Sequence, residues 1–292
     1  MSRPLDWERD GRTWPHRTAS RFVTTQGVRW HVQVMGNGSP VLLLHGTGAS
    51  AHSWRGVMPL LARQFTVIAP DLPGHGFTRG RPRGGLSLPG MVAGVSDLLA
   101  ELGQAPALLV GHSAGVAIGL ALLGERDPAI PLVGFNPAIA PFPGLASKLF
   151  PALAKALFVN PFAPRMFARL ARAPGETARF LARSTGSRID AEGLRCYETL
   201  LGNARHCRGA LDMMASWDLD RLDRALPGIA NPVLLVHSAG DSAIQLSSVQ
   251  KAAARLPNAV VEVVPDLGHL AHEEDPGHYT ARVVDYARSL GV

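Results

Sequence analysis

A serine stands in the pattern Gly-x-Ser-x-Gly at residues 111–115, between two apolar stretches. Residues 108–110 predict a strand and residues 116–123 predict a helix. Glycines two positions before and after Ser113 allow a strand and a helix to meet at a sharp, strained turn. The pattern is short, but its strand-turn-helix setting predicts that the Ser113 hydroxyl projects into a cleft as a nucleophile.

A serine hydroxyl is a weak nucleophile unless a histidine removes its proton, and a carboxylate must hold the tautomer of that histidine. Asp241 follows the predicted strand 233–236, and His269 follows the predicted strand 260–264. Each residue lies just past the carboxyl end of its strand. The chain order serine, acid, histidine is the order found where the nucleophilic serine lies on a strand-turn-helix motif. We therefore predict that Ser113, Asp241 and His269 act as nucleophile, orienting acid and base.

Rival assignments are His272 for the base and Asp266 or Asp220 for the acid. His272 opens the charged run 273–275, which we interpret as charges at the start of the last helix. Asp266 precedes His269 too closely to orient it, and Asp220 lies where an inserted segment ends. The first assignment is therefore preferred.

Acyl transfer also requires donors for the oxyanion, and backbone amides suit this task because they are fixed before the charge develops. The loop 45–48 directly follows the predicted strand 41–44. We predict that the N–H groups of Thr47 and Ala114 form an oxyanion hole. His45 is interpreted as structural, since a histidine before a glycine turn can bond to backbone groups.

The elements that position these residues predict an α/β fold with a mostly parallel sheet. Residues 21–25 and 28–35 alternate apolar and polar side chains around Gln26-Gly27, which predicts an antiparallel hairpin at the sheet edge. Helical stretches separate most of the remaining predicted strands, so right-handed crossovers and ligand binding beyond the carboxyl ends are expected. Those strands are short apolar runs typical of parallel strands buried on both faces, at residues 41–44, 65–69, 107–110, 132–135, 233–236 and 260–264.

Residues 140–228 break this alternation, because they show helical periods without a strand signal and are punctuated by proline. We predict a helical cap there, inserted between the core segments 1–139 and 229–292. The apolar first half of the cap can line a pocket, contact a membrane interface or pack on the core, and the sequence leaves these roles open. Its apolar residues are Leu145, Leu149, Phe150, Leu153, Leu157, Phe158, Phe162, Met166 and Phe167.

Composition narrows the class of protein. The chain has 292 residues, 46% hydrophobic and 18% charged, which fits one large α/β unit. Residues 1–17 contain no apolar stretch of a secretory signal, and the run 116–123 is shorter than the roughly 18 residues that span a bilayer, so a cytoplasmic protein is expected. The two cysteines, Cys196 and Cys207, fit neither a metal knuckle nor a redox pair and are expected to pack between helices.

Arginines account for most of the net charge of +6, but they are scattered along the chain, which argues against a nucleic-acid partner. The sequence contains no glycine-rich phosphate loop, metal-ligand cluster or dinucleotide fingerprint. The predicted chemistry therefore needs no cofactor, and water is the second substrate.

Taken together, these motifs resemble the α/β-hydrolase superfamily throughout the chain: residues 45–48, 71–76, 111–115, Asp241 and 268–269. The chain is also similar to a narrower branch, the magnesium-chelatase accessory proteins encoded with bacteriochlorophyll-synthesis enzymes in phototrophic bacteria. That similarity lies in Asp6-Trp7-Glu8-Arg9-Asp10-Gly11, Asn136-Pro137-Ala138, Thr185-Gly186-Ser187 and Met213-Met214-Ala215-Ser216-Trp217-Asp218-Leu219.

The resemblance implies a setting in magnesium-tetrapyrrole synthesis and leaves two functions open. One is a serine hydrolase that acts on an ester of a tetrapyrrole or a related apolar molecule. The other is a binding protein that presents porphyrin to magnesium chelatase, with Arg165, Arg169 and Arg172 near the cap as anion partners. Peripheral membrane contact through the cap is compatible with both. A serine at position 113 argues against dehalogenase or epoxide-hydrolase chemistry, which attacks through a carboxylate.

Overall fold

The computed structural model describes residues 3–124, 129–140, 160 and 162–292. Eight strands form one sheet in the order β1-β2-β4-β3-β5-β6-β7-β8. Their bounds are β1 Ser20–Thr25, β2 Val28–Met35, β3 Pro40–Leu44, β4 Thr66–Pro70, β5 Leu108–His112, β6 Leu132–Phe135, β7 Val233–Ser238 and β8 Ala259–Val264.

Strands β1 and β2 pair antiparallel, β2 pairs antiparallel with β4, and all later neighbours pair parallel. The predicted edge hairpin and the mostly parallel sheet are therefore confirmed. All eight predicted strands are present, with ends displaced by at most two residues.

Helices connect the strands and cover both faces of the sheet. In β3, Leu42 and Leu44 pack into one core cluster and Val41 and Leu43 into the other, because successive side chains of a strand point to opposite faces. The helices of the described residues are α1 Trp7–Asp10, α2 Met58–Leu61, α3 Leu88–Glu101, α4 Ala114–Leu123, α5 Ala163–Ala171, α6 Glu176–Thr185, α7 Ala191–Leu201, α8 Ala204–Ala215, α9 Asp220–Ala225, α10 Leu246–Ala253, α11 Ala271–Glu274 and α12 Pro276–Ser289.

Strand β8 differs from the prediction that it is buried on both faces. It forms the far edge of the sheet, where Val260 and Val263 are 55% and 48% exposed. β-Branched residues such as valine are common in edge strands and in central strands. Composition alone therefore did not distinguish the two positions.

Between β6 and β7 the described residues form helices α5 to α9 and no strand. The predicted division into a core of 1–139 and 229–292 and a cap of 140–228 stays a prediction. Cys196 on α7 and Cys207 on α8 are both buried and free, as expected of packing thiols. In the described part of the chain, every helix is too short or too polar to cross a bilayer.

Asp71, directly after β4, anchors the loop that leads from β3. Its buried carboxylate accepts hydrogen bonds from the N–H groups of Ala51 and Phe77, each at 2.8 Å, and from Nδ1 of His31 at 2.9 Å. Burial by itself raises the pKa of this carboxyl, but the charge and hydrogen bond of His31 and the two amides outweigh it and lower the pKa to about 2. The Asp71 carboxylate therefore stabilises the fold in its charged form.

We expect Asp71→Asn to lower the free energy of unfolding by about 2–3 kcal/mol near neutral pH. The carboxylate has two acceptor oxygens for its three donors, whereas the amide has only one. The folded-state pKa lies below the ordinary 3.8, so the wild-type advantage is present above pH 3.8 and is lost as the pH falls through about 2. Urea unfolding across this range measures the effect. A difference between the two proteins that does not shrink in acid would contradict a role for the charge.

Candidate active site

Ser113 lies at the turn between β5 and α4, in a backbone conformation that non-glycine residues rarely adopt. Its φ is 52° and its ψ is −118°. The turn is held by two hydrogen bonds to the neighbouring segment, from Ser113 N–H to the Phe135 carbonyl at 3.0 Å and from Ala138 N–H to the Ser113 carbonyl at 3.2 Å. Such a conformation persists only where the surroundings fix it, and it is enriched at functional sites.

The two glycines of the pattern permit this turn by close approach. A Cβ at position 111 would lie 2.7 Å from the backbone nitrogen of Val116, and one at position 115 would lie 2.0 Å from the carbonyl oxygen of Leu44. Both neighbours are backbone atoms, so neither can give way. Glycine is therefore required for α4 to pack directly against the sheet.

Asp241 and His269, which follow β7 and β8, are hydrogen-bonded to each other. His269 Nδ1 donates to Asp241 Oδ2 at 2.8 Å, which leaves Nε2 of a neutral ring free to accept a proton. The other oxygen of Asp241 accepts the N–H groups of Ala243 at 2.7 Å and Ile244 at 2.9 Å. Asn136, after β6, also donates to Asp241 Oδ2 at 2.8 Å. Four donors thus fix one buried carboxylate.

These donors keep the Asp241 carboxylate ionised. Burial by itself raises the pKa of this carboxyl, but the hydrogen bond and charge of His269 and the hydrogen bonds from Asn136 and Ile244 outweigh it. The pKa of Asp241 is therefore lower than its ordinary 3.8. An ionised acid at this position holds the Nδ1–H tautomer of the histidine.

His112, the neighbour of Ser113, links the turn to His269. Its Nε2 donates to the His269 carbonyl at 2.9 Å, and the two rings lie 4.7 Å apart. Burial and the nearby His269 lower the pKa of His112 well below its ordinary value, so this ring is neutral. Within the described residues, no hydrogen bond joins the Ser113 hydroxyl to His269 itself.

The loop after β3 lies against the same turn. A Cβ at Gly46 would lie 3.0 Å from Ser113 Cβ, and the Thr47 hydroxyl contacts Met213 Sδ on α8 at 3.5 Å. Among the described residues, the N–H groups of Thr47 and Ala114 donate to no protein acceptor. An oxyanion hole requires unpaired amides of this kind, and the assignment of Thr47 and Ala114 to it stays a prediction.

His45 has a structural role, as predicted. Its Nδ1 donates to the Gly46 carbonyl at 2.8 Å, and its Nε2 accepts the N–H of Leu72 at 2.9 Å. The ring thus joins the loop after β3 to the loop after β4.

The rival residues occupy other environments. His272 is buried between Trp54 and His112, at ring distances of 4.6 and 4.4 Å, and neither of its nitrogens has a partner among the described residues. Burial lowers the pKa of His272 well below its ordinary value. Asp266 and Asp220 are exposed, and the carboxylate that His269 contacts is that of Asp241.

Glu273 and Glu274 lie in the first turn of the short helix α11, and Asp275 caps α12 through the N–H of His278 at 3.0 Å. Glu273 is buried, pairs with Arg55 and accepts the Tyr197 hydroxyl at 2.8 Å. Glu274 accepts hydrogen bonds from residues beside His269. Acidic residues before a helix normally complement its dipole, and a single sequence carries no signal that these two turn inward.

Part of the predicted apolar cap surface is visible. Phe162, Met166 and Leu170 are between 53% and 69% exposed along one side of α5, whereas Phe167 packs against apolar residues of the neighbouring helix α8. Arginines 165, 169 and 172 are also exposed. Leu145, Leu149, Phe150, Leu153, Leu157 and Phe158 lie outside the described residues. The described residues contain no cluster of potential metal ligands.

The chain is similar to known proteins over most of its length. A sequence model of the "Alpha/beta hydrolase family" matches residues 41–283. The chain is 38% identical over 276 residues, 94% of its length and 96% of the relative's, to a protein of Rhodobacter capsulatus named magnesium-chelatase 30 kDa subunit. It is 32% identical over 265 residues, 82% of its length and 95% of the relative's, to a pimeloyl-[acyl-carrier protein] methyl ester esterase of Aromatoleum aromaticum.

Solved structures share the fold at lower identity. The epoxide hydrolase CorEH superposes with a TM-score of 0.77 at 24% identity, covering 93% of this chain and 99% of that one. A thermophilic esterase of Thermogutta terrifontis superposes with a TM-score of 0.71 at 19% identity, covering 93% and 100%. Since the family model spans most of the chain and the solved structures share its fold, the chain belongs to the alpha/beta hydrolase family.

Proposed function

We propose that the protein is a cofactor-independent serine hydrolase that cleaves an ester or a related acyl bond of an apolar substrate. The observation that carries the proposal is the pairing of His269 Nδ1 with Asp241 Oδ2, at the same edge of the sheet as the strained turn at Ser113. A histidine whose Nδ1–H is held by a buried carboxylate presents its Nε2 as a base.

In the proposed reaction, Ser113 Oγ attacks the acyl carbon while His269 Nε2 takes the hydroxyl proton. Asp241 stabilises the imidazolium that forms, and the N–H groups of Thr47 and Ala114 receive the oxyanion. His269 returns the proton to the leaving group, and water then attacks the acyl-enzyme with His269 as base. The Ser113 hydroxyl turns to His269 when substrate binds, because catalytic hydrogen bonds are often long or misaligned in unliganded sites.

The names of two relatives support the substrate class. One is a methyl ester esterase, and the other is named as a subunit of magnesium chelatase. Together with the resemblance described above, they favour an ester in magnesium-tetrapyrrole synthesis as the natural substrate. Ser113 occupies the position from which a carboxylate would have to attack in epoxide hydrolysis, so an acyl-enzyme is the intermediate we expect.

We expect Ser113→Ala to abolish labelling by a fluorophosphonate probe and to lower kcat on p-nitrophenyl esters by at least about 10³-fold, because no other group can form the acyl-enzyme. Ser248→Ala, which removes an exposed hydroxyl bonded to the Gln245 carbonyl, is the matched control and should react like the wild type. Equal labelling of the wild type and Ser113→Ala, or an unlabelled wild type, would refute the hydrolase.

A second candidate is a non-catalytic protein that binds a tetrapyrrole and assists magnesium chelatase. The name of the Rhodobacter capsulatus relative favours it. Arg165, Arg169 and Arg172 on and after α5 are exposed and offer guanidinium groups to the carboxylates of such a ligand.

Pigment analysis of a deletion strain distinguishes these candidates. If the protein acts by catalysis, a strain complemented with Ser113→Ala should accumulate the same intermediates as the deletion, because the folded protein lacks its nucleophile. If it acts by binding, Ser113→Ala should restore the pigment. Titration with protoporphyrin IX provides the complementary measurement, and the absence of binding would remove the second candidate.

We also propose that α5 contacts an anionic membrane surface. Phe162, Met166 and Leu170, spaced four residues apart, form an exposed apolar stripe, and the arginines 165, 169 and 172 flank one side of it. An amphipathic helix with an apolar face beside cations is the surface that binds anionic lipid. Such contact would bring the protein to apolar substrates dissolved in the bilayer.

Sedimentation with lipid vesicles tests this contact. We expect binding to phosphatidylglycerol-containing vesicles that weakens with salt, and about tenfold weaker binding for Met166→Asp, because a charge would enter the acyl boundary. Val260→Asp adds the same charge on exposed β8 and is the control. Binding of Met166→Asp that equals binding of the control, or no binding by the wild type, would overturn the proposal.

A further inference from the structure

Three consecutive backbone N–H groups, those of residues 268–270, are all occupied, and His269 is the middle residue. The first donates to Glu274 Oε2 at 2.9 Å. The second donates to the Thr185 carbonyl at 2.7 Å, and the third to Ser187 Oγ at 2.8 Å. Two of the three acceptors therefore come from the last residue of α6 and from the segment that follows it, far from His269 in sequence.

Ser187 and Glu274 close this arrangement into a network. The buried Ser187 hydroxyl accepts the N–H of Leu270 and donates to Glu274 Oε2 at 2.8 Å. The other oxygen of Glu274 accepts the N–H of Arg188 at 2.8 Å. The Ser187 hydroxyl thus links Glu274 directly to the backbone of the residue after His269.

The same segment lies against the loop that carries Asp241. Gly186 has a φ of 71°, and a Cβ there would lie 2.5 Å from the carbonyl oxygen of Gly240. A Cβ at Gly268 would lie 2.3 Å from Ser187 Oγ. Residues 185–187 thus touch both loops that supply the proposed base and its acid.

The opposite side of the His269 backbone contacts the serine turn. Its carbonyl accepts Nε2 of His112 at 2.9 Å, and His112 is the residue before Ser113. The His269 peptide is therefore held between the 185–187 segment and the turn, and a displacement of that segment changes the distance between the imidazole and Ser113.

We propose that residues 185–187 position His269 for proton transfer, with Ser187 as the positioning residue whose side chain fixes this loop. The inference rests on the proposed hydrolase function. It means that the predicted helical cap helps to place the catalytic base and does not serve only to bind substrate. A shift of about 1 Å in a catalytic group can cost about 10²-fold in rate, so even partial loosening is measurable.

The test compares Ser187→Ala with the wild type and with Ser184→Ala. Ser184 is the matched control because its hydroxyl donates to the carbonyl of Phe180 within α6 and does not contact the His269 loop. The measured quantity is the rate at which a fluorophosphonate labels Ser113. In that reaction an Oγ–P bond forms, the P–F bond breaks, fluoride leaves and His269 takes the hydroxyl proton.

We expect Ser187→Ala to be labelled about tenfold more slowly and to reach the same final stoichiometry, because a misplaced base slows every folded molecule. Its kcat on p-nitrophenyl esters should fall with KM nearly unchanged, whereas Ser184→Ala should match the wild type. If the substitution only unfolded part of the sample, the final fraction of labelled protein would fall, and the folded molecules would still be labelled at the wild-type rate. Labelling of Ser187→Ala at the wild-type rate would overturn the positioning role.

Glu274→Gln provides a second variant if Ser187→Ala does not fold. The substitution keeps the shape of the side chain but leaves one of the donors that Glu274 accepts without an acceptor. A slower labelling rate at full stoichiometry is again expected, and an unchanged rate again overturns the inference. The wild-type sample separates the two proposals. An unlabelled wild type removes the hydrolase itself, whereas a labelled wild type with unaffected variants removes only the positioning role.

Discussion

The close packing of α4 against the sheet is the constraint on which the rest of the site depends. Gly115 brings the helix within contact of the carbonyl of Leu44, and this approach forces Ser113 into a backbone conformation that costs about 1–3 kcal/mol. The fully buried strands on either side offset that cost, since the strain of one residue is small beside the apolar surface they bury. The sheet thus holds the strained backbone of Ser113 at its edge.

Everything else at this edge follows from the direction of the strands. The parallel strands β3 and β5 to β8 all end on the same side of the sheet, so the loops that follow them lie close together. The loop after β7 supplies a carboxylate, and the loop after β8 supplies the histidine bonded to it. The loop after β6 contributes Asn136, which shares the Asp241 oxygen and so connects a third strand to the pair.

The sequence was sufficient to predict the parts that local pattern determines. Apolar runs mark the buried strands, and glycine spacing marks the turn at Ser113, because each depends on a few adjacent residues. It was insufficient where a contact joins distant segments. The edge position of β8 depends on what its neighbours leave uncovered, and the inward orientation of Glu273 depends on Arg55, more than 200 residues earlier in the chain. Asn136 likewise carried no signal of its contact with Asp241.

Some of the contacts that pattern did not predict join the helices between β6 and β7 to the rest of the chain. Arg55, with its side chain almost fully buried, pairs with Glu273 beside the sheet and with Asp190 at the start of α7. The two carboxylates lie on different helical segments, so the buried Arg55 guanidinium fixes the relative placement of the elements it joins. Proteins that share this sheet at 19–24% identity include an epoxide hydrolase and an esterase. The shared sheet therefore does not by itself determine the reaction.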